Sequence, residues 1–370
     1  MNDQQQELDV TNDFLNPRKG MAREYRIHPF PKTRFQGSKA KIIPWIYEKV
    51  SDLHFDTALD LFGGTGSVAH LFKTMGKAVD YNDLLKFNHI IGKALIENSH
   101  VTLGEKEIKS ILSRKEGLEY PSFISRTFKD VFYLDEENEW LDMVITNIGN
   151  MDDEYKRSIA YFGLFQACIM KRPYNLFHRS NLYIRTSDVK RDFGNKTTWD
   201  TPFYTHFKNV ITEANATVFD NGRKCSAYNF DSVSFPTQLK YDLVYMDPPY
   251  VSGAGIGVDY LDFYHFLEGM VEYDKWSDKI LTKYKHLPLK GRGENPWANK
   301  KTVFSMFESV LKKFQESIIV VSYRNDGVPS IEQLAELLST YKKNVQTHKI
   351  SHKYVLSKNG ESHEVLLIGK

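Results

Sequence analysis

The pattern of apolar and polar positions predicts an alternation of short strands and amphipathic helices. Apolar runs of four to seven residues end in Gly, Pro or an acid, and apolar residues at helical spacing follow them. This order is typical of an α/β sheet. We expect buried strands at 57–62, 77–83, 241–246 and 317–323, helices at 42–47, 67–73, 84–98, 303–314 and 330–341, and an antiparallel edge hairpin from 345–350 and 365–368.

A glycine turn joins the first predicted strand to its helix. Gly63, Gly64 and Gly66 stand in this turn, where glycine allows the backbone to approach a nucleoside closely. Asp83 ends the next predicted strand, about 20 residues later, the spacing at which a carboxylate accepts from ribose hydroxyls. A glycine loop alone is a weak signal, but this continuation favours a Rossmann-like nucleoside site.

The predicted strand 241–246 ends abruptly at Asp247, Pro248, Pro249 and Tyr250. A residue that precedes proline is confined to extended geometry, so the carboxylate is held at the strand tip. Open α/β sheets bind ligands at this end of their strands. The same four residues could also form a rigid structural turn, and the local sequence leaves both interpretations open.

A second candidate anion site precedes the predicted helix 42–47. Ser38 is placed to cap that helix, Gly37 allows close approach to the backbone, and Lys39 adds a positive charge. A capped surface helix without a ligand would show the same pattern.

The spacing of the strands predicts an insertion. A mononucleotide-binding fold reaches its fourth strand within about 60 further residues, yet Asp247 comes much later. We therefore expect a flexible tail at 1–28, a core formed by 29–100 with 225–370, and an inserted domain at 101–224.

The inserted segment mixes basic and aromatic residues in a manner that suits nucleic acid. Residues 171–210 hold eight Lys or Arg and three acids among many aromatic rings. A subdomain that packs its own aromatic residues is the alternative. The candidate DNA contacts are Arg172, His178, Arg179, Arg185, Lys190, Arg191 and Lys196, with Arg324 beyond the insert.

Composition narrows the function classes. The 370 residues carry a formal net charge of +2, but the charges are segregated: 275–301 hold eight Lys or Arg and two acids, and 130–154 hold nine acids and no Lys or Arg. Such basic blocks indicate local contact with phosphate. Cys168 and Cys225 are too few for a disulfide framework or a cysteine zinc site, and we predict no metal. The chain lacks an apolar run of about 20 residues, so no membrane contact and a cytosolic location are expected.

Three motifs in this order resemble the Dam-like, alpha-group adenine-specific DNA methyltransferases. They are Phe35-Gln36-Gly37-Ser38-Lys39, then Asp60-Leu61-Phe62-Gly63-Gly64-Thr65-Gly66-Ser67, and, after the insert, Asp247-Pro248-Pro249-Tyr250. Residues 264–268 and 322–325 resemble the same family. The likeness covers roughly 30–370 and implies a Rossmann-like, mostly parallel core with an inserted target-recognition domain.

The resemblance also implies a cofactor, S-adenosylmethionine. Asp83 would bind its ribose, and the adenine would lie near Asn229 and Phe230, where many relatives have Asp-Phe; Asp231 is a substitute for Asn229. The remaining implied cofactor contacts are Phe35, Gly37, Ser38, Lys39, Asp60, Phe62, Gly63, Gly64 and Gly66.

The implied reaction is methylation of the exocyclic N6 amine of an adenine flipped out of duplex DNA. The Asp247 carboxylate and the Pro248 carbonyl would accept the amine hydrogens, Pro249 would keep the corner rigid, and Tyr250 would stack on the base. We expect a monomer that is the modification enzyme of a restriction-modification pair. The cognate endonuclease would act on the same DNA sequence without forming a stable complex with this protein. The alternatives are cytosine N4 or RNA as acceptor, and an inactive DNA-binding scaffold.

Overall fold

A seven-stranded sheet organises the part of the chain that the structure, a computed structural model, describes: residues 28–189, 196–291, 293–351 and 363–370. The strand order is β3-β2-β1-β4-β5-β7-β6, and β3 to β5 are parallel whereas β7 and β6 run antiparallel. The mixed sheet with a C-terminal antiparallel hairpin confirms the predicted fold class. The strands are β1 Thr57–Asp60, β2 Ala78–Asn82, β3 Ser226–Tyr228, β4 Leu243–Met246, β5 Ile318–Arg324, β6 Val345–Ser351 and β7 His363–Gly369.

Helices cover both faces of the sheet and build the insert. Single 3-10 turns lie at Ala40–Ile42, Pro173–Asn175, Tyr273–Lys275, Ser277–Lys279 and Pro296–Ala298, and a π turn at Lys93–Glu97 extends α3. The α-helices are α1 Ile43–Val50, α2 Ser67–Thr74, α3 Lys86–Gly92, α4 Glu105–Ile111, α5 Phe123–Thr127, α6 Asp135–Gly149, α7 Glu154–Met170, α8 Tyr183–Thr186, α9 Lys196–Asp200, α10 Phe203–Thr217, α11 Tyr260–Val271, α12 Val303–Lys313 and α13 Ile331–Ser339.

The sheet reverses its winding between β1 and β4. From β1 the chain moves outward to β2 on one side, whereas from β4 it moves to β5 on the other. Asp60 at the end of β1 lies opposite Tyr245 of β4. Such a switch point leaves a crevice at the carboxyl ends of both strands, and the two motifs that begin with Asp60 and Asp247 meet there.

The inserted segment packs directly on the core. Its long helix α7 lies against α3, where Phe165 and Phe87 make an edge contact with ring centroids 5.8 Å apart. Buried residues of α1, α3, α6, α7 and α10 belong to one hydrophobic cluster. The insert is therefore built on the same apolar core as one face of the sheet.

Two predicted DNA contacts are wrong because their charges serve the interior of the insert. Arg172 is 1% exposed, lies over the Phe132 ring at 4.4 Å, and donates to the carbonyls of Leu176 at 3.2 Å and Arg179 at 2.7 Å. Arg185 forms a two-bond ion pair with Glu137, at 2.8 and 2.9 Å, and its side chain is 6% exposed. The acidic and basic blocks of the insert thus partly neutralise each other.

Helix α1 also begins differently from the prediction. Ser38 does not cap it: the helix starts at Ile43 after a 3-10 turn, with Ile42 in the cap position. The Ser38 hydroxyl instead lies 3.3 Å from the Thr65 hydroxyl, which joins two of the three motifs. Among the described residues, no helix combines the length and the apolar character that crossing a membrane requires.

The buried guanidinium of Arg172 predicts a stability defect. Arg172→Ala would leave several buried carbonyls without a donor, so we expect a loss of about 2–4 kcal/mol in the free energy of unfolding. Urea denaturation followed by circular dichroism measures it. The exposed neighbour Arg179→Ala is the matched control, with an expected change below about 0.5 kcal/mol. Equal stability of the two variants would contradict this account of Arg172.

Candidate active site

The carboxylate of Asp247 lies at the carboxyl edge of the sheet. All four residues of β4 are buried, and Pro248 and Pro249 prevent the strand from continuing. The chain then turns so that the Tyr250 hydroxyl donates to Asp247 Oδ1 at 2.7 Å. One carboxylate oxygen is therefore fixed by a residue only three positions away.

Lys39 fixes the other oxygen. Its Nζ lies 2.5 Å from Asp247 Oδ2, 2.9 Å from the Tyr250 hydroxyl and 3.6 Å from Glu364 Oε1. Burial alone would lower the pKa of Lys39, but the negative charge of Asp247 outweighs it and raises this pKa. The group is thus an ammonium ion, and Asp247 faces a fixed positive charge in a side-chain environment that is 17% exposed.

The loop that carries Lys39 is clamped on helix α11. The Phe35 ring stacks on Tyr264 at 4.5 Å and on Tyr260 at 5.7 Å, and the Gln36 N–H donates to the Tyr264 hydroxyl at 2.9 Å. Gly37 has φ +87°, and a Cβ there would lie 2.4 Å from the Tyr260 hydroxyl. Only glycine fits, so the motif has a structural reason for this residue.

The glycine turn is held in place from β2. A Cβ on Gly63 would fall 2.0 Å from the Tyr81 ring, and the Tyr81 hydroxyl donates to the Gly64 carbonyl at 2.7 Å. Asp83 Oδ2 accepts from the Gly64 N–H at 3.0 Å. The side chain that was predicted to bind ribose therefore also braces the turn.

These elements enclose a cleft with about 920 Å³ of empty space, its open mouth included. Gly66, Asn229, Pro248 and Tyr250 lie outside its lining. The predicted residues that do line it are Phe35, Gly37, Ser38, Lys39, Asp60, Phe62, Gly63, Gly64, Asp83, Phe230, Asp247 and Pro249.

The segment after β3 places its two polar residues Asn229 and Asp231 in different surroundings. The Asn229 amide donates to the carbonyls of Asp83 at 2.8 Å and Leu84 at 2.9 Å, so it ties two chain segments together outside the cleft. Phe230, Asp231 and Ser232 line the cleft instead. Asp231 therefore belongs to the lining of the cleft, and Asn229 does not.

The buried end of the cleft holds a carboxyl group with altered acidity. Burial and the neighbouring charge of Asp247 together raise the pKa of Asp60 to about 8, although the hydrogen bond from the Ala69 N–H opposes this shift. Asp60 is therefore protonated near neutral pH and carries no negative charge against the cleft.

Sequence reasoning missed several residues of the site. Glu364 of β7 is fully buried and its Oε1 lies beside Lys39, Tyr250 and Ser322. The signal in the sequence that could have identified Glu364 is a glutamate within the apolar run 364–368. Asn88, Tyr260 and Trp297 line the cleft without a motif that could have identified them.

The remaining predicted DNA contacts lie on or near the surface. Arg179 is exposed, and the half-buried His178 packs on Phe263 with ring centroids 5.4 Å apart. The exposed Lys196 pairs with Asp200 at 2.8 Å. Arg324, at the end of β5, pairs with Asp326 at 2.7 Å. Lys190 and Arg191 lie outside the described residues.

Comparison with known proteins gives relatives over nearly the whole chain. A type II methyltransferase of Haemophilus parahaemolyticus, M2.HphI, is 28% identical over 91% of this chain and 97% of its own length. M.NlaIII of Neisseria lactamica is 24% identical over 83% of this chain and 88% of its length. The modification methylase StsI of Streptococcus sanguinis is 26% identical over 90% of this chain, which spans about half of that protein (51%).

A family model matches residues 35–326, from the loop that carries Lys39 to the turn after β5. That range contains the insert as well as the glycine turn and the Asp-Pro-Pro-Tyr corner, and the fold brings residues of the last two to one cleft. The chain thus belongs to the D12 class N6 adenine-specific DNA methyltransferases.

Proposed function

We propose that this DNA adenine methyltransferase takes its methyl group from S-adenosylmethionine and is the modification enzyme of a restriction-modification system. The observation that carries the proposal is the Asp247 carboxylate, held by Lys39 and Tyr250 beside the glycine-turn cleft. The related proteins are named as type II methyltransferases and a modification methylase, which supports the second part.

The residues of the cleft fit such a cofactor. The buried Asn88 Oδ1 has no hydrogen-bond partner among the described residues and lines the cleft, so it can accept from a polar ligand. A Cβ on Gly64 would point into open space, with no atom closer than 3.9 Å, which leaves room for a ligand against the backbone. Asp83 and Asp231 offer acceptors for ribose and base, and Phe35, Phe62, Phe230 and Trp297 offer flat or apolar walls. When bound, the cofactor supplies an electrophilic sulfonium methyl group.

Asp247 would orient the adenine amine for attack. The amine is a weak nucleophile because its lone pair is delocalised into the ring. The two N–H groups of the amine would donate hydrogen bonds to the Asp247 carboxylate and the Pro248 carbonyl. These bonds would draw the nitrogen towards a tetrahedral shape and direct its lone pair to the methyl group. Asp247 would thus act by positioning the amine. Its own position is fixed in advance, because Lys39 holds one of its oxygens and Tyr250 the other.

A base inside a duplex cannot reach Asp247, so the adenine would be flipped out. The Tyr250 ring, on which the base would stack, is 8% exposed. Stacking therefore requires that the loop at 251–257, which begins directly after Tyr250, moves when DNA binds. Its three glycines give the backbone the conformational freedom for such a movement.

The DNA would lie across a basic surface that adjoins the pocket wall. Residues 279–290 form a narrow antiparallel ribbon, closed by the Ile280 and Leu289 pair and by the Leu281 N–H on the Pro288 carbonyl at 2.8 Å. Lys283, Tyr284 and Lys285 are exposed at its tip, and Lys283 lies over the Tyr284 ring at 4.8 Å. We call this segment the lysine ribbon.

The lysine ribbon is joined to the insert through histidine rings. His286 of the ribbon lies 5.7 Å from the His265 ring of α11. His265 Nε2 in turn lies 3.1 Å from the carbonyl oxygen of Phe177, in the stretch of the insert that carries His178 and Arg179. Ribbon and insert thus form one basic surface, on which the exposed Tyr174, in a left-handed conformation at φ +61°, supplies an aromatic face.

Removal of the Asp247 carboxylate tests the reaction. We expect Asp247→Ala to lower methyl transfer about 100- to 1000-fold, as for loss of a preorganised hydrogen-bonding group, while cofactor affinity changes little. Labelled cofactor, mixed-sequence duplex DNA and a nucleoside digest identify the product. The exposed Asp52→Ala is the matched control. Label in N4-methylcytosine, label in RNA instead of DNA, or full activity of Asp247→Ala would refute the assignment.

A pair of substitutions tests the cofactor's base contact. Asp231→Ala removes an acceptor from the cleft, so we expect S-adenosylmethionine to bind about tenfold more weakly, which corresponds to one hydrogen bond. Asn229→Ala removes two hydrogen bonds outside the cleft, and a change below about threefold is expected. Isothermal titration calorimetry measures both. A larger effect for Asn229→Ala would reverse the assignment.

The salt dependence of DNA binding tests the lysine ribbon. Each phosphate contact contributes about 0.9 to the slope of log K against log salt concentration, so Lys283→Ala with Lys285→Ala should reduce the slope by about 1.8. Fluorescence anisotropy over a KCl series gives the slope. The double variant Lys240→Ala with Lys343→Ala removes the same charge at the amino end of the parallel strands. Equal slopes for the two double variants would exclude the ribbon from the interface.

A further inference from the structure

Glu364 is a buried acid that the reaction, as described so far, does not use. It lies at the start of β7, opposite Arg324 of β5, and is 0% exposed. Its Oε1 lies 3.2 Å from the Tyr250 hydroxyl, 3.6 Å from Lys39 Nζ and within hydrogen-bond distance of Ser322 Oγ. Glu364 therefore contacts both groups that hold Asp247.

The single hydroxyl proton of Tyr250 restricts the protonation state of Glu364. Tyr250 has one hydroxyl proton, yet two carboxyl groups lie within bonding distance of it: Asp247 at 2.7 Å and Glu364 at 3.2 Å. The shorter contact assigns that proton to Asp247. The contact between Tyr250 and Glu364 is then a hydrogen bond only if Glu364 carries a proton of its own.

The surroundings of the second oxygen lead to the same result. Glu364 Oε2 is buried and has no hydrogen-bond partner among the described residues. An ionised carboxylate with one oxygen unsatisfied in the interior is costly, whereas a neutral acid avoids that charge. Burial raises the pKa of Glu364, the Asp247 charge raises it further, and Lys39 opposes them.

We propose that Glu364 is a positioning residue that acts as a neutral carboxylic acid, leaving the Tyr250 proton and the Lys39 ammonium to Asp247. If Glu364 were ionised, two carboxylates would compete for the same donor and the same cation. The inference rests on the proposed role of Asp247 as the acceptor that orients the amine. No atom of Glu364 lines the cleft, so its effect reaches the substrate through Tyr250 and Lys39.

Two substitutions separate the charge of Glu364 from its shape. Glu364→Ala removes both, and we expect kcat to fall about 10- to 100-fold, as for a misplaced reacting group. Glu364→Gln keeps the shape and the neutral state, and should restore kcat to within about fivefold of wild type. Dissociation constants for S-adenosylmethionine and DNA should change little, because Glu364 touches neither. Single-turnover methylation measures the rate, and the exposed Glu336→Gln is the matched control.

The pH profile provides a readout that a merely structural role would not affect. Wild-type kcat should fall as pH rises through the raised pKa of Glu364, and Glu364→Gln should lack that step. The other groups around it are Lys39, Asp247, Tyr250, Tyr245 and Tyr260. Asp60, whose pKa is raised to about 8 by burial, titrates in both proteins, so the difference between the profiles reports Glu364.

Each outcome decides the proposal. If Glu364→Gln is as slow as Glu364→Ala, the ionised form is needed and the proposal fails. If Glu364→Ala is as fast as wild type, Glu364 has no positioning role. Should Glu364→Ala not fold, as seen by circular dichroism, the rate and pH profile of Glu364→Gln alone decide. A wild-type enzyme that forms no N6-methyladenine would refute the proposed function instead. Failure of the proposed function can therefore be distinguished from failure of the Glu364 proposal.

Discussion

The ion pair between Lys39 and Asp247 is the interaction on which the site depends. It joins residues 208 positions apart in the sequence, one in the loop before α1 and one at the tip of β4. Both groups are mostly withdrawn from water, where breaking such a pair by removing one partner typically costs about 3–5 kcal/mol. The sheet must therefore bring β4 to the loop, and α11 must hold the loop in place.

The aromatic clamp on Phe35 is the reason that this pair is well defined. A lysine on a free loop would sample many rotamers, and its side-chain entropy would oppose a fixed contact. Stacking of Phe35 on Tyr260 and Tyr264 fixes the backbone before Lys39 extends to Asp247. Helix α11 in turn rests on the insert, since the Phe177 N–H donates to the Phe263 carbonyl at 2.9 Å. The insert thus supports the site as well as the proposed DNA surface.

The insert also shows how charge in a sequence can mislead. Its acidic and basic blocks suggested separate surfaces, yet Glu137 pairs with Arg185 and with Lys171 at 2.7 Å. Arg172 stabilises the loop at 173–181 from within by donating to its carbonyls.

The sequence by itself determined the order of the elements and the motif residues. Hydrophobic periodicity located every strand of the sheet except the three-residue β3, because burial on a sheet or helix face imposes a local spacing. Proline and glycine marked the two strand tips because their backbone restrictions are local too. The tertiary structure alone decided which charges face each other. Glu364 and Tyr260 joined the site, and Arg172 and Arg185 left the surface, because burial and ion pairing depend on contacts between distant segments that no local pattern encodes.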